Sequence, residues 1–254
     1  MIQTVEIKNM KLGEGIPKIC IPLVAKTKTE ILEYAKNLEG VTLDVVELRI
    51  DHFEKVENIE AVIDLLKSLR EILKETPILF TFRSLKEGGE KELSIAQYVK
   101  LNCEVAKSRL VDLVDVELFS GDEYVKEIIE VAHSEGVKVI MSNHDFFKTP
   151  EKNVIIERLV RMQELGTDVA KIAVMPNTLK DVLVLLEATL EMKENHAKVP
   201  VVTMSMGGKG VISRVAGEIF GSALTFGAVN KVSAPGQLEA KKLVTILETL
   251  HEAL

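Results

Sequence analysis

Residues 18–51, KICIPLVAKTKTEILEYAKNLEGVTLDVVELRID, decide the fold of this chain. An apolar run at 18–25 is followed by an amphipathic segment at 29–39 and by a second apolar run at 43–51. Short apolar runs rich in β-branched residues predict buried strands, and the 3.6-residue periodicity between them predicts a helix. The segment therefore predicts a strand, a helix and a second, parallel strand of the same sheet.

This alternation occurs eight times in 254 residues, so each unit has about 32 residues. The predicted strands are 18–25, 43–51, 77–84, 112–118, 137–145, 169–176, 199–206 and 223–229. The predicted helices are 29–39, 59–75, 94–109, 122–135, 151–165, 178–192, 210–219 and 237–252. Pro77 and Pro200 stand at strand starts, and Gly40, Gly136 and Gly166 stand where helix C-caps are expected.

Eight β-then-α units in one α/β chain most simply close into a (β/α)8 TIM barrel. A doubly wound open sheet usually has fewer strands and a glycine-rich turn after the first, but here the first strand continues into Ala25-Lys26-Thr27-Lys28. The segment 4–12 alternates apolar and polar residues and is followed by Gly13 and Gly15, which predicts a short N-terminal β-hairpin closing the barrel floor. No linker interrupts the pattern, so we expect a single domain over 1–254.

Composition narrows the class of protein. The chain is 46% hydrophobic and 28% charged, which is typical of a globular protein, and 32 basic against 39 acidic residues give a net charge of −7. That balance disfavours binding to nucleic acid or to anionic lipid. We expect no secretory or membrane segment, because charged residues interrupt the N-terminal apolar stretches and no apolar run reaches about 18 residues. The two cysteines, Cys20 and Cys103, fit a reducing cytoplasm.

Charged residues occupy strand positions where a barrel core favours valine, isoleucine or leucine. In the second strand Glu47 and Arg49 lie two residues apart and therefore share the inward face. In the third strand Arg83 lies at the end that faces the barrel mouth, and the fifth strand ends with His144. Barrel enzymes place their chemistry at this rim. The alternative for the first two residues is a structural ion pair, and for His144 a hydrogen-bonded rim histidine.

Lys171 is the most informative residue. It lies in the sixth strand between apolar neighbours and points inward if Ala170 and Ile172 face the helices. Burying a lysine costs free energy that a surface lysine avoids, which favours a functional role. Asp115 and Glu117 in the fourth strand could instead simply neutralise it, so a structural role stays open.

A buried amine does its most distinctive work on a ketone or aldehyde, where it forms an iminium that makes the neighbouring proton removable. A histidine nearby supplies general acid–base catalysis close to neutral pH. Arg214 follows the glycine-rich stretch 206–210, where backbone amides or a guanidinium can hold an anion. We expect no metal and no cofactor, because no partner with ligand spacing surrounds His144.

Seven segments, in order, resemble type I 3-dehydroquinase, the shikimate-pathway dehydratase that uses a lysine Schiff base. They are VVELRID (45–51), FTFRSLKEGGE (80–90), VIMSNHDF (139–146), VAKIAVMP (169–176), MSMGGKGVISRV (204–215), LTFGAV (224–229) and SAPGQL (233–238). The resemblance covers nearly the whole chain. It implies a hydro-lyase that converts 3-dehydroquinate to 3-dehydroshikimate, usually as a homodimer.

The resemblance also implies residue roles. Lys171 would condense with the ring ketone, His144 would remove the α-proton and protonate the leaving hydroxyl, and Glu87 would orient the histidine. Arg214 would hold the substrate carboxylate. The remaining substrate-binding residues it implies are Glu47, Arg49, Arg83, Met204, Met206, Phe226, Ser233 and Gln237.

Two other functions remain open. A class I aldolase-type barrel also carries a Schiff-base lysine on its sixth strand, and the glycines at 206–210 could hold a sugar phosphate. A non-catalytic barrel could bind a small acid or a partner protein through its charged rim. Binding a carboxylate requires arginines but no buried amine, so the Lys171, His144 and Glu87 combination favours an enzyme.

Overall fold

Parallel strands alternating with helices build the frame of the molecule, whose computed structural model describes residues 2–229 and 236–254. The strands in chain order are β1 (Val5–Ile7), β2 (Met10–Leu12), β3 (Lys18–Leu23), β4 (Val45–Arg49), β5 (Ile78–Thr81), β6 (Leu113–Glu117), β7 (Lys138–Asp145), β8 (Val169–Val174), β9 (Val201–Ser205), β10 (Leu224–Ala228) and β11 (Leu238–Glu239). The helices are α1 (Lys28–Lys36), α2 (Ile59–Leu73), α3 (Ile95–Ser108), α4 (Asp122–Ser134), α5 (Lys152–Glu164), α6 (Leu179–Glu191), α7 (Ile212–Val215), α8 (Gly217–Phe220) and α9 (Ala240–His251).

The main sheet closes into a barrel. Strands β3 to β9 pair in sequence order, all parallel, and β10 pairs with β3. The backbone N–H of Ala223 donates to the carbonyl of Val201 at 2.8 Å, and a parallel bridge joins Val201 to Ser222. The start of β9 is thereby joined to the residues that enter β10. The predicted (β/α)8 barrel is confirmed.

Alternation along the strands sorts side chains between two cores. In β8, Ala170, Ile172 and Val174 face outward into the layer between strands and helices. Val169 and Ala173 face inward and belong to a separate core inside the barrel. Lys171 is an inward position of the same strand, as the alternation predicts.

The N-terminal hairpin closes the floor, as predicted. β1 and β2 pair antiparallel, with Val5 opposite Leu12 and Ile7 opposite Met10. All four side chains are buried in the inner core, and Leu12 is fully buried. The polar residues between them stay exposed, so the hairpin contributes one apolar face to the barrel interior.

Local signals explain where several helices begin. Thr27, Ser94 and Thr178 each cap a helix by accepting from the backbone three residues later, and the residue there returns a bond to the cap. Such caps contribute about 1 kcal/mol each. Gly136 and Gly166 follow the C-caps of α4 and α5 with positive φ, as predicted. No helix among the described residues combines the length and apolar content that crossing a bilayer requires.

The structure corrects two predicted helices. The segment predicted at 210–219 forms a single turn at 208–210 and then α7 and α8, which are separated by the non-helical Ala216. The residue after the break packs closely, because a Cβ on Gly217 would lie 2.7 Å from the Ser222 carbonyl oxygen and 3.0 Å from Pro17. The helix predicted from 237 begins at Ala240, because β11 first pairs with β10.

Candidate active site

The ends of the barrel strands gather the predicted site residues in one cavity. Its walls are Pro22, Glu47, Arg49, Arg83, Glu87, Gly88, His144, Phe146, Lys171, Ala173, Met204, Met206, Arg214, Phe226 and Gln237. The free space, counted out to open solvent, is about 620 Å³, which suits a small organic molecule. Ser233 lies outside the described residues, and each of the other eleven predicted site residues lines this cavity.

Lys171 lies inside the barrel, with 3% of its surface exposed. Its Nζ lies 3.5 Å from Asp115 Oδ2 and 3.9 Å from Glu47 Oε1. The ring centroid of Phe226 is 4.6 Å from Nζ, within the range of a cation–π interaction. Carboxylates therefore lie beside the amine, yet it still lines the cavity, so a small carbonyl compound can reach it.

His144 and Glu87 form an oriented pair. Nδ1 of His144 and its backbone N–H both lie 2.9 Å from Glu87 Oε2. The amide of Asn143 donates to Glu87 Oε1 at 3.0 Å and is itself held by Arg158. The ring of Phe146 stacks on the imidazole. Because Nδ1 is occupied by Glu87, Nε2 is the histidine nitrogen left for a ligand.

The charges around this pair set its protonation. Burial lowers the pKa of His144 well below its usual value, and the positive charges of Arg83, Lys171 and Arg49 act in the same direction. The imidazole is therefore neutral at neutral pH and able to accept a proton. Burial also raises the pKa of Glu87 to about 7, although the Arg83 charge opposes the shift. Glu87 is therefore the member of the pair whose pKa lies near neutral pH.

Arg83 anchors the carboxylates under the site. Its guanidinium donates to Asp115 at 2.8 Å, to Glu117 at 2.9 Å and to Ser142 at 2.9 Å, and it lies 3.6 Å from Glu87. Burial alone would lower the pKa of Arg83, but the neighbouring carboxylates raise it well above its usual value. Arg83 is a permanent cation that links the surroundings of Lys171 to those of His144.

Two further arginines stand at the rim. Arg49 donates two parallel hydrogen bonds, both 2.8 Å, to the fully buried Asp51. These bonds fix the orientation of the Arg49 guanidinium. Arg214 is buried in α7, and burial lowers its pKa to about 10, which still leaves it charged at neutral pH. Ser213 holds the turn before it by donating to the Gly210 carbonyl at 2.7 Å.

Several residues contribute to the site without having been predicted from the sequence. Asp51, Ser142 and Asn143 hold site residues from behind, and Gly88 and Phe146 line the cavity. Strand alternation carried a signal for Ser142, which lies two residues before His144 and therefore on the same face. The loop residues carried none, because their positions depend on how the chain turns after each strand.

The arrangement combines a buried amine, a neutral histidine held by a carboxylate, and arginines able to bind an anion. Such a set can form an imine with a ketone and move a proton beside it. Among residues 2–229 and 236–254, no cluster of three or more histidine, cysteine or carboxylate side chains is arranged to hold a metal ion.

Comparisons with known proteins agree with the geometry. A sequence model of the type I 3-dehydroquinase family matches residues 19–253. A 3-dehydroquinate dehydratase of Clostridium botulinum is 57% identical over 252 residues, 99% of each chain. The crystal structure of the type I 3-dehydroquinate dehydratase of Clostridium difficile with covalently modified comenic acid is 56% identical, has a TM-score of 0.98 and matches all of both chains. The crystal structure of a 3-dehydroquinate dehydratase from Geobacillus kaustophilus is 37% identical, has a TM-score of 0.95 and matches over 98% of this chain and 97% of its own.

Proposed function

Because the chain belongs to the type I 3-dehydroquinase family, we propose that Lys171 is the amine that condenses with the ring ketone of its substrate. The chain is a hydro-lyase of the shikimate pathway that dehydrates 3-dehydroquinate to 3-dehydroshikimate. The observation that carries the assignment of Lys171 is its buried amine, which shares one cavity with the His144–Glu87 pair.

Condensation places a positive nitrogen on the former carbonyl carbon and releases the carbonyl oxygen as water. The iminium draws electrons from the adjacent carbon, and Nε2 of His144 removes the proton there. The resulting enamine expels the β-hydroxyl, which takes the proton back from the imidazolium and leaves as water. Water then hydrolyses the conjugated iminium, which frees the product and restores the amine.

The other cavity residues hold the ring. Arg214 is suited to bind the substrate carboxylate, because its planar fork matches a planar anion. Glu47, Arg49 and Arg83 lie on the polar wall and would address the ring hydroxyls, while Met204, Met206 and Phe226 would contact its apolar faces. We also assign substrate binding to Ser233 and to Gln237, of which Gln237 lines the cavity.

Borohydride reduction during turnover tests the assignment of Lys171. We expect 3-dehydroquinate and borohydride to leave one covalent adduct by intact mass, mapped to Lys171 by peptide analysis. Lys209→Ala is a matched control, because Lys209 is an exposed amine in the glycine-rich turn and its loss should leave the adduct in place. An adduct at any other residue, or none, would overturn the assignment. An aldolase-type barrel would instead cleave a C–C bond of a sugar phosphate and depend on its phosphate group.

We also propose that the protein is a single domain over 1–254 that acts as a homodimer in the cytoplasm. One continuous core reaches from Ile19 to Leu247, which supports the single domain. Leu179 and Leu183 lie four residues apart on α6 and are 68% and 65% exposed, which suits burial against a second copy. Light scattering should give twice the monomer mass, and a monomer at working concentration would refute the dimer.

A further inference from the structure

Asp115 lies behind the wall of the cavity, in the middle of β6. It is fully buried and does not line the cavity. Its Oδ1 accepts bonds from Arg83 Nη2 at 2.8 Å and from Ser142 Oγ at 2.6 Å. Its Oδ2 accepts no hydrogen bond from any described residue and lies 3.5 Å from Lys171 Nζ. One oxygen is therefore fixed by two donors, and the other faces the amine.

In the proposed reaction the Lys171 nitrogen is cationic in the iminium that forms first and again in the conjugated iminium, and it is neutral only in the enamine between them. An ammonium and a ketone give a protonated iminium and water: the C–O double bond breaks, a C–N double bond forms, and two nitrogen protons leave with the oxygen. The nitrogen is cationic before and after this step. A buried cation needs a partner, because desolvation is costly.

Several groups surround that nitrogen. They are Cys20 on β3, Glu47 and Arg49 on β4, Arg83 after β5, Asp115 on β6, His144 on β7 and the ring of Phe226 on β10. Of the two carboxylates, Glu47 is farther from Nζ at 3.9 Å, lines the cavity and can be drawn to ligand hydroxyls. Asp115 does not line the cavity, so its carboxylate stays beside the Lys171 nitrogen while the ligand reacts.

We propose that Asp115 is a positioning residue whose fixed carboxylate serves as the counter-ion of the iminium on Lys171 and keeps that nitrogen protonated. The proposal rests on the proposed function, because it requires the Schiff base. The carboxylate is anionic at neutral pH: burial acts to raise the pKa of Asp115, but the charges of Arg83 and Lys171 and the Ser142 bond hold it below its usual value. Ser142 and Arg83 prevent it from turning away.

Asp115→Asn tests the counter-ion, with Glu117→Gln as the matched control. Both residues bind Arg83, but only Asp115 contacts Lys171. Sodium cyanoborohydride reduces protonated iminium ions in preference to neutral imines, so trapping with 3-dehydroshikimate reports protonation. We expect the ratio of trapping rates at pH 8.5 and pH 6.5 to fall about 10-fold in Asp115→Asn, with the alkaline limb of kcat about one pH unit lower. In Glu117→Gln, the ratio should stay within about 2-fold of the wild type.

An unchanged ratio in Asp115→Asn would overturn the proposal. An equal fall in both variants would also overturn it, because the carboxylate would then act only by holding Arg83. If the wild type itself gives no adduct, the proposed Schiff base fails, which is a distinct result.

A measurement on the wild type keeps the proposal testable if Asp115→Asn does not fold. 3-Dehydroshikimate labelled with ¹³C at the ring ketone carbon gives an NMR signal whose position separates an iminium from a neutral imine. We expect the bound signal to keep its iminium position from pH 6.5 to pH 9. A shift to the neutral-imine position within that range would overturn the counter-ion role.

Discussion

The lower and upper halves of the barrel interior follow the same alternation but contain opposite chemistry. The lower layer consists of apolar side chains contributed by the strands, namely Cys20, Val45, Leu79, Leu113, Ile140, Val169, Val202 and Leu224. Two residues further along, five of these strands carry a polar inward residue, namely Glu47, Thr81, Asp115, Ser142 and Lys171. A spacing of two residues along the strand therefore separates the apolar core from the charged cavity.

The difference shows what each half contributes. Burial of the lower layer against the hairpin stabilises the fold without directional partners. The charged residues of the upper layer are buried as well, so each of them needs a partner: Lys171 has Asp115, Arg83 has Asp115 and Glu117, and Glu87 has His144 and Asn143. The apolar lower layer thus holds the strands in place, and the strands in turn position the charged side chains of the upper layer.

The largest expected effect comes from removing the amine. Lys171→Ala should abolish dehydration, a loss of more than about 10⁵-fold in kcat, because no other lysine among residues 2–229 and 236–254 lines the cavity. Conversion of 3-dehydroquinate, followed by the absorbance of the conjugated product, measures it. The control Lys209→Ala removes an exposed amine that bonds the Asn177 carbonyl and should stay within about 2-fold of the wild type. Full activity in Lys171→Ala would refute the catalytic role of Lys171.

His144→Ala should be the next most damaging change. Loss of the acid–base group is expected to lower kcat by about 10² to 10⁴. Imine formation should survive, since Lys171 remains in place, so borohydride should still leave an adduct. Intact mass and single-turnover kinetics separate the two steps. Wild-type proton transfer in this variant would contradict the role of Nε2.

The sequence predicted much of this contrast. Alternation placed Glu47, Arg83 and Lys171 on inward faces, because a strand repeats every two residues and its pattern is local. The floor hairpin followed from the same rule. The residue types at the strand ends then indicated imine chemistry, and the resemblance supplied the substrate.

The supporting contacts could not be predicted in the same way. The bonds of Asp51 to Arg49, and of Asn143 to Glu87, depend on loop geometry after the strands. The break of the predicted helix 210–219 at Ala216 is followed by Gly217, which packs against Pro17 from a distant part of the sequence. Long-range packing, which single-sequence periodicity does not contain, decides these features.

Leu12→Ala tests the lower half. The side chain is fully buried against the barrel floor, so truncation should cost about 2–5 kcal/mol of unfolding free energy. Urea unfolding followed by circular dichroism measures the loss. At a temperature where the variant is folded, kcat should stay within about 2-fold of the wild type, because no residue of the hairpin lines the cavity. A large fall in kcat of the folded variant would show that the two layers are not separate.

Glu87→Gln should lower the rate less than Lys171→Ala or His144→Ala does, and it gives the finest test of the upper layer. The pKa of Glu87 is raised to about 7 by burial, so the carboxyl ionises as the pH rises through that value. Only the ionised form accepts the Nδ1 proton of His144 with full charge. We therefore expect kcat/KM of the wild type, which reports the pKa values of the free enzyme, to rise through pH 7, and the variant to lose about 10-fold at pH 8 and less at pH 6. The inflection should vanish in the variant, because an amide does not titrate.

The ionisation of Glu87 should also change the stability of the fold with pH, in the direction given by its raised pKa. The folded-state pKa of Glu87 lies above its unfolded value of 4.5, so the folded state binds more protons between pH 4.5 and pH 7. This carboxyl therefore removes stability as the pH rises through that window, and Glu87→Gln should lose less Tm than the wild type between pH 5 and pH 8. The pKa of His144 lies well below 6.5, so its titration does not produce the inflection near pH 7. If the inflection near pH 7 in the rate profile persists in Glu87→Gln, another group produces it, and Glu87 does not take part in the acid–base step.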